Sequence, residues 1–261
     1  MGRVTTTDRR TALRAGAGLV AGGALAAGCA TTGSAAPPAT PARARAAKAT
    51  PLTAPAPRAF PRQPAQITHG PRDRPRIALT FHGQGDPKIA TALLTEAERH
   101  GAHVTVLAVG TWLDTHPEMA RRILDGGHDL GNHTQRHIAV NTLPEADALA
   151  EITGCADRLK RLTGSIGTWF RPSRAPAASP LVERLAHRVG YPHVLSYDVD
   201  SLDFTEPGAP AITRKVLAEV RDGSVVSMHF GYAGTVAALP AVLEELDRRG
   251  LRAVTTTELL S

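Results

Sequence analysis

From residue 76 to the end of the chain, short runs of branched apolar residues alternate with amphipathic segments. This alternation limits the fold more than any other feature. Residues 76–81, 104–109, 128–132, 168–171, 193–197, 224–229 and 252–255 read as strands, several apolar enough to be covered on both faces. Between them lie segments with helical spacing at 88–100, 117–124, 144–162, 179–189, 211–220 and 236–249, and a short terminal turn at 257–260. In the first helix Ile89, Leu93, Leu94 and Ala97 share one face. Pro117, Pro144 and Ser179-Pro180 stand where first turns begin, and Gly126-Gly127 where a helix stops. Such an order predicts an α/β fold with a parallel sheet, closed or nearly so, and helices outside. In barrels of this kind the chemistry lies at the carboxyl ends of the strands. His82, His133, Arg171, Asp200 and His229 all fall there.

The most informative polar stretch follows the third strand, where Gly131-Asn132 leads into His133-Thr134-Gln135-Arg136-His137. Two imidazoles four residues apart can close on one divalent cation at roughly 2.0–2.1 Å. The same spacing also describes one face of a solvated helix. The Gly-Asn pair favours a tight turn over a helix, and Thr134 adds an oxygen donor between the two rings.

The block from Trp112 to His137 resembles the second motif region of the NodB-type polysaccharide deacetylases (carbohydrate esterase family 4), in which H-S/T-x-x-H follows a barrel strand. The resemblance runs from about Arg76 onward. It implies a distorted (β/α) barrel of about seven units and a metal-dependent hydrolase that removes acetyl groups from sugars. Ser227-Met228-His229 resembles the family's L-x-H motif, which implies that His229 is the general acid toward the leaving group. Trp169-Phe170-Arg171-Pro172 resembles R-P-P-Y/F-G, but Ser173 and Arg174 replace the second proline and the aromatic. A backbone N–H of that loop helps hold the oxyanion in the family, and a backbone donor survives a change of side chain. Asp198 to Phe204 is close to D-x-x-D-W, with an aspartate that pairs with the motif arginine. Asp200 or Asp203 could fill that place, and Asp200 is preferred.

The first motif departs from the pattern. The family has T-F-D-D-G-P, with the first aspartate as base and the second as metal ligand beside the two histidines. This chain has Thr80-Phe81-His82-Gly83-Gln84-Gly85-Asp86-Pro87. Glycine offers no side-chain donor. His82 could take the third metal position with His133 and His137, a three-imidazole set that zinc accepts, with Asp86 swinging in as base or ligand. Alternatively His82 is itself the base, because an imidazole titrates near neutrality. Losing an anionic ligand raises the charge of the centre and weakens its hold on the metal. The expected cofactor is zinc, with cobalt or another transition metal as substitutes.

The N-terminal part has a different composition. Residues 1–29 carry Arg9-Arg10, a short Ala/Gly-rich apolar run and Ala27-Gly28-Cys29. The run is too short and weakly apolar to span a bilayer. It resembles a twin-arginine lipoprotein signal with Cys29 as the acylated residue, which implies export and anchoring at the outer face of the cell membrane. Residues 30–66 are rich in Ala and Pro and read as a disordered linker, since they have little apolar surface to offset ordering entropy. Residues 67–261 are left as the catalytic domain. Cys155 is the other cysteine, so no disulfide framework is expected, and it reads as a small buried apolar residue. Residues 1–76 hold 12 Lys+Arg against 2 Asp+Glu, whereas 77–261 hold 18 against 22, so the basic balance belongs to the signal and linker. The mildly acidic domain argues against nucleic acid as a partner, and no protein partner is expected. The reading is a hydrolase of acetyl groups on an envelope or extracellular polysaccharide. The alternatives are an inactive glycan-binding protein on the same fold and a hydrolase of some other small C–N or C–O bond.

Overall fold

The structure, a computed structural model, describes residues 53–261. The expected signal, Cys29 and most of the expected linker lie outside the described residues.

The centre of the fold is β2 (Arg76–Gly83), whose Ile77 to Gly83 are all buried. It lies between β3 (Thr105–Ala108) and β7 (Val225–His229), both parallel to it. β4 (Asp129–Asn132) extends the sheet beyond β3, and β6 (Val199–Asp200) extends it beyond β7. β8 (Arg252–Ala253) pairs with the start of β2. The ring is carried round by single bridges. Phe170 pairs with Asn132 of β4 on one side and with Val194 of β5 (Val194–Leu195) on the other. β5 pairs with β1 (Gln66–Ile67), and an antiparallel bridge from His69 to Ser224 brings the chain back to the start of β7. The result is the expected distorted (β/α) barrel. The strand expected at 168–171 shrinks to the bridge at Phe170, because its neighbours turn away to place Arg171 inside.

The helices cover the outside. α1 (Pro87–Arg99) buries Leu93, Leu94 and Ala97 as its spacing predicts, with Ala90 beside them and the expected Ile89 only partly buried at the edge of that face. α2 (Gly110–Thr115) was not expected; it is one short turn and a half that buries Trp112 and Leu113. α3 (Glu118–Asp125), α4 (Glu145–Thr163), α5 (Pro180–Val189), α6 (Ala209–Glu219) and α7 (Ala233–Arg248) follow the predicted order. The chain ends on α8 (Thr256–Leu259). α4 and α5 both stop at a glycine with positive φ, Gly164 and Gly190, which only a residue without Cβ adopts freely. Cys155 is buried in α4 and its thiol, pushed up to about 12 by burial, donates to Ala108 O. It is the inert apolar residue expected. Among the described residues no helix is long and apolar enough to cross a membrane.

The linker boundary needs correction. From residue 53 the chain is packed on the barrel, not free of it. Ala54 N–H donates to Thr163 O, and Ser165 Oγ–H donates to Pro55 O. Phe60 is buried and stacks on Trp169, with ring centroids 5.6 Å apart and planes 13° apart. His193 fixes the same segment from below: its Nε2 accepts Phe60 N–H at 2.9 Å, while its Nδ1–H donates to Pro64 O at 2.8 Å. One aromatic anchor and a string of backbone bonds to a rigid surface thus order a stretch whose composition alone gives no reason to fold. Phe60→Ala removes this anchor and should cost about 3 kcal/mol. A chain begun at residue 67 should unfold at lower urea than one begun at residue 53. Equal midpoints would show that the segment contributes nothing.

Candidate active site

The carboxyl ends of β2, β4, β7 and the Phe170 bridge converge on one pocket. Its volume is about 550 Å³, and His82, Gln84, His137, Arg174, Tyr197, Asp200, Phe204, His229 and Tyr232 lie in its wall. Arg171 lies behind that wall, fully buried.

Arg171 faces no carboxylate. Its Nε–H donates to Leu195 O (3.1 Å) and its Nη2 to Ser196 O (2.9 Å). Its Nη1 reaches Thr80 Oγ1 (2.9 Å) and His82 Nε2 (3.2 Å). Burial holds its pKa down at about 10, so it remains charged at neutral pH. A guanidinium can only donate, so His82 Nε2 must accept. The proton of His82 is therefore on Nδ1, which donates to His229 Nε2 at 2.7 Å. His229 in turn donates from Nδ1 to Asp203 Oδ1, also at 2.7 Å. Asp203 is buried and takes two further bonds on Oδ2, from His229 N–H and Thr235 Oγ1–H. The chain Arg171, His82, His229, Asp203 thus has one consistent set of tautomers.

His133 and His137 stand beside it. The two residues are on a loop after β4, not on a helix, and Thr134 and His137 both have left-handed backbone, with φ of 67° and 57°. Asn132 shapes this turn, its Oδ1 accepting Thr134 N–H while its Nδ2 donates to Ile152 O and Tyr191 Oη. His133 stacks on His82 at 4.2 Å between centroids and lies 4.9 Å from His137. His133 Nδ1–H donates to Arg171 O at 3.0 Å, which leaves Nε2 a buried lone pair without a protein partner. Burial, then His137, pushes His133 well below the ordinary histidine value. Burial, then Arg174, lowers His137 to about 4. Burial, then His133, also pushes His82 well below the ordinary histidine value. All three rings are neutral at physiological pH, which is the state in which imidazole can ligate a cation. His133 and His137 therefore suit two positions on one metal ion. Among the described residues no group of three His, Cys, Asp or Glu is arranged to hold one.

Several expectations are corrected by this geometry. His82 cannot be the third ligand as it stands, because Arg171 occupies its one lone pair. Asp86 reaches neither the rings nor the pocket; it is exposed and caps α1, its Oδ1 accepting Lys88 N–H at 2.8 Å. Thr134 Oγ1 is turned to Ser173 Oγ, tying two loops together. Asp200 lines the pocket but does not pair with Arg171; its Oδ1 caps Leu202 N–H and its Oδ2 accepts from Tyr197. The buried carboxylate that matters is Asp203, and its partner is His229. The signal missed was positional: Asp203 opens a 3₁₀ turn (Asp203–Thr205) flanked by left-handed Leu202 and Glu206, which directs it inward. Gly83 has no room for a side chain. A Cβ there would lie 2.9 Å from Val106 Cγ1 and 3.1 Å from Ala108 Cα, with Trp112 at 3.3 Å.

These features can be set beside known proteins. The sequence profile described as polysaccharide deacetylase matches residues 69–194. In sequence and in fold the chain resembles the NodB-type polysaccharide deacetylases, carbohydrate esterase family 4. It is 29% identical over 194 residues to a peptidoglycan-N-acetylglucosamine deacetylase of Bacillus cereus, covering 73% of this chain and 90% of that one. It is 28% identical to the deacetylase PgdA of Listeria monocytogenes over 70% of this chain but only 38% of that longer protein. Its fold matches a CE4 family pseudoenzyme from Bacillus anthracis with a TM-score of 0.72, over 76% of this chain and 70% of that one, at 22% identity. This polysaccharide deacetylase-like hydrolase departs from the family pattern at His82 and Gly83.

Two outcomes follow from the placement of the aspartates. Asp86→Ala should cost about 1 kcal/mol in urea unfolding, the value of an N-cap, and leave divalent-cation affinity unchanged; a lost affinity would put Asp86 back in the site. Asp203→Asn keeps its amide oxygen on His229 N–H and Thr235 Oγ1–H, turns its amide donor toward His229 Nδ1 and should cost about 2 kcal/mol. The nitrogen NMR shifts of His229 should then lose the single Nδ1–H tautomer; an unchanged spectrum would refute the relay.

Proposed function

We propose that this protein hydrolyses acetyl groups from an amino sugar of an envelope polysaccharide, and that it does so with a divalent metal. The observation that carries the reading is the buried Asp203–His229 pair opening on a sugar-sized pocket beside the His133–His137 pair. The relatives in Bacillus cereus and Listeria monocytogenes, named for action on peptidoglycan N-acetylglucosamine, favour peptidoglycan as the polymer. Export by the N-terminal signal, with lipid on Cys29, would put the domain where that polymer is.

His133 and His137 would hold the cation, zinc in the first instance, through His133 Nε2 and the ring of His137. Such an ion, when bound, supplies Lewis acidity toward an acyl carbonyl and toward water. The protein does the rest. Asp203 fixes His229 with its Nε2 toward the pocket and stabilises the imidazolium that forms when that nitrogen takes a proton for the leaving group. Entering substrate must displace His82 from His229 Nε2. His82, freed of that bond but still held at Nε2 by Arg171 and stacked on His133, then presents an Nδ1–H donor to the pocket, so it does not serve as the base the sequence suggested. Phe204, at 45% the most exposed large apolar side chain among the described residues, and Tyr232 stand edge-on to His229 at 5.3 and 6.0 Å, and present apolar surface to a sugar face.

One observation favours a second reading, glycan binding without turnover. The chain lacks both acidic residues of the first motif, Gly83 has no room to regain one, and the Bacillus anthracis structure is of a pseudoenzyme. The test is acetate release from acetylated peptidoglycan fragments by residues 53–261, loaded with zinc or cobalt and compared with a chelated sample. Release that needs the metal and is lost, together with metal content, in His137→Ala supports the hydrolase. Saturable glycan binding without release supports the second reading.

A further inference from the structure

One buried polar group in the pocket wall has no task in the reaction above. Ser227 stands in β7 two residues before His229, and its Oγ is buried without a protein partner. Successive side chains of a strand point to opposite faces. Met228 therefore packs into the core, while Ser227 shares the pocket face with His229. At 1% exposure, against 8% for His82, Ser227 is the most buried residue of the wall and marks its floor. Its neighbours in register are Thr80 of β2 and Asp200 of β6, and both are committed. Thr80 Oγ1–H donates to Val226 O at 2.6 Å and the same oxygen accepts from Arg171 Nη1, while Asp200 holds Leu202 N–H and Tyr197 Oη–H. Burying a hydroxyl without a partner costs free energy, and at the floor of a pocket a ligand can supply that partner. The L-x-H pattern has leucine at this place, so serine both opens space and adds a hydrogen-bonding group.

Only one part of a polymeric amino sugar can reach such a depth. The glycan continues on both sides of the reacting residue and must run across the open mouth, whereas the acyl group ends. With the leaving nitrogen at His229 Nε2 and the carbonyl toward the His133–His137 pair, the carbon beyond the carbonyl is the one directed inward. We propose that Ser227 is a specificity residue that selects a hydroxyacetyl (glycolyl) group on the sugar nitrogen over an acetyl group, with the α-hydroxyl of the acyl group pairing with Ser227 Oγ. The inference rests on the deacylase reading of the same pocket and narrows the acyl group. The bond balance is that of amide hydrolysis: water oxygen bonds to the carbonyl carbon, the C–N bond breaks, the nitrogen takes a proton, and glycolate leaves in place of acetate.

Three chitotetraose preparations, carrying N-glycolyl, N-propionyl or N-acetyl groups, test this with the full chain and zinc by ligand-detected NMR. Propionyl matches glycolyl in size but lacks the hydroxyl, so the pair separates hydrogen bonding from volume. The glycolyl ligand should bind about fivefold more tightly than either of the others, the scale of one neutral hydrogen bond. In Ser227→Ala, with folding checked by thermal unfolding, the glycolyl-to-propionyl ratio should fall to near one. Ser227→Leu should bind the glycolyl ligand more weakly than the acetyl one. Equal glycolyl and propionyl affinities in the wild type, a ratio unchanged in Ser227→Ala, or no binding of any of the three would overturn the proposal. Glycolate and acetate release are scored on the same samples. Glycolyl-selective binding without release would end the hydrolase reading alone, and acetate release with a glycolyl-to-propionyl ratio of one would end the selectivity alone.

Discussion

A guanidinium buried without a carboxylate is costly, and Arg171 is tolerable only because four oxygen and nitrogen acceptors converge on it. Those acceptors come from β2, from β5 and from the residue after it, so the cation ties together strands that share no direct ladder. Its own carbonyl accepts from His133 Nδ1 and orients that ring. Its ring-side neighbour, Tyr197, lies with its centroid 5.3 Å from the guanidinium carbon, a cation–π contact that adds to the solvation of the charge. The site is therefore arranged around a fixed positive charge. Each histidine tautomer in the chain to Asp203 follows from the fact that arginine cannot accept a hydrogen bond.

The fold was legible where periodicity decides it. The core faces of α1 and α4 and the apolar runs of β2, β3 and β7 carry enough signal to give a parallel barrel and its element order. Elements held by long-range contacts left less trace. Phe60 and His193 are 133 residues apart, and neither predicts that residues 53–66 will be ordered. β1, which the sequence did not announce, is two residues long and exists because it pairs with β5. The site divides in the same way. His133, His137, Arg171 and His229 are recognisable from local motifs and do converge. Asp86 was misread because a carboxylate near the first motif was needed, whereas the local sequence Asp-Pro-Lys, with proline at the first helical turn, is that of an N-cap. Asp203 was passed over for Asp200 because three residues of loop conformation, not spacing, decide which one turns inward.

The two changes in the first motif are physically coupled to their surroundings. Gly83 sits where the β2 backbone passes close to Val106, Ala108 and the ring of Trp112, so α2 has closed over the space a ligand side chain would need. Gly85, with φ of 96°, lies so near Gly231 in the loop after β7 that a Cβ would come within 2.7 Å of the Gly231 Cα, and Trp112 Nε1–H donates to Gly85 O. The loop is thus packed as a unit around small residues, and a side chain at position 83 would press first on Val106 and the Ala108 backbone and then on Trp112.

His82 completes that logic from the electrostatic side. With neutral rings at positions 82, 133 and 137, the buried charges at the site reduce to Arg171 and Asp203, one of each sign. A divalent cation entering such a shell gains no carboxylate attraction from the first motif and meets Arg171 as a like charge, so its affinity must rest on the two imidazoles and on whatever anionic group the ligand brings.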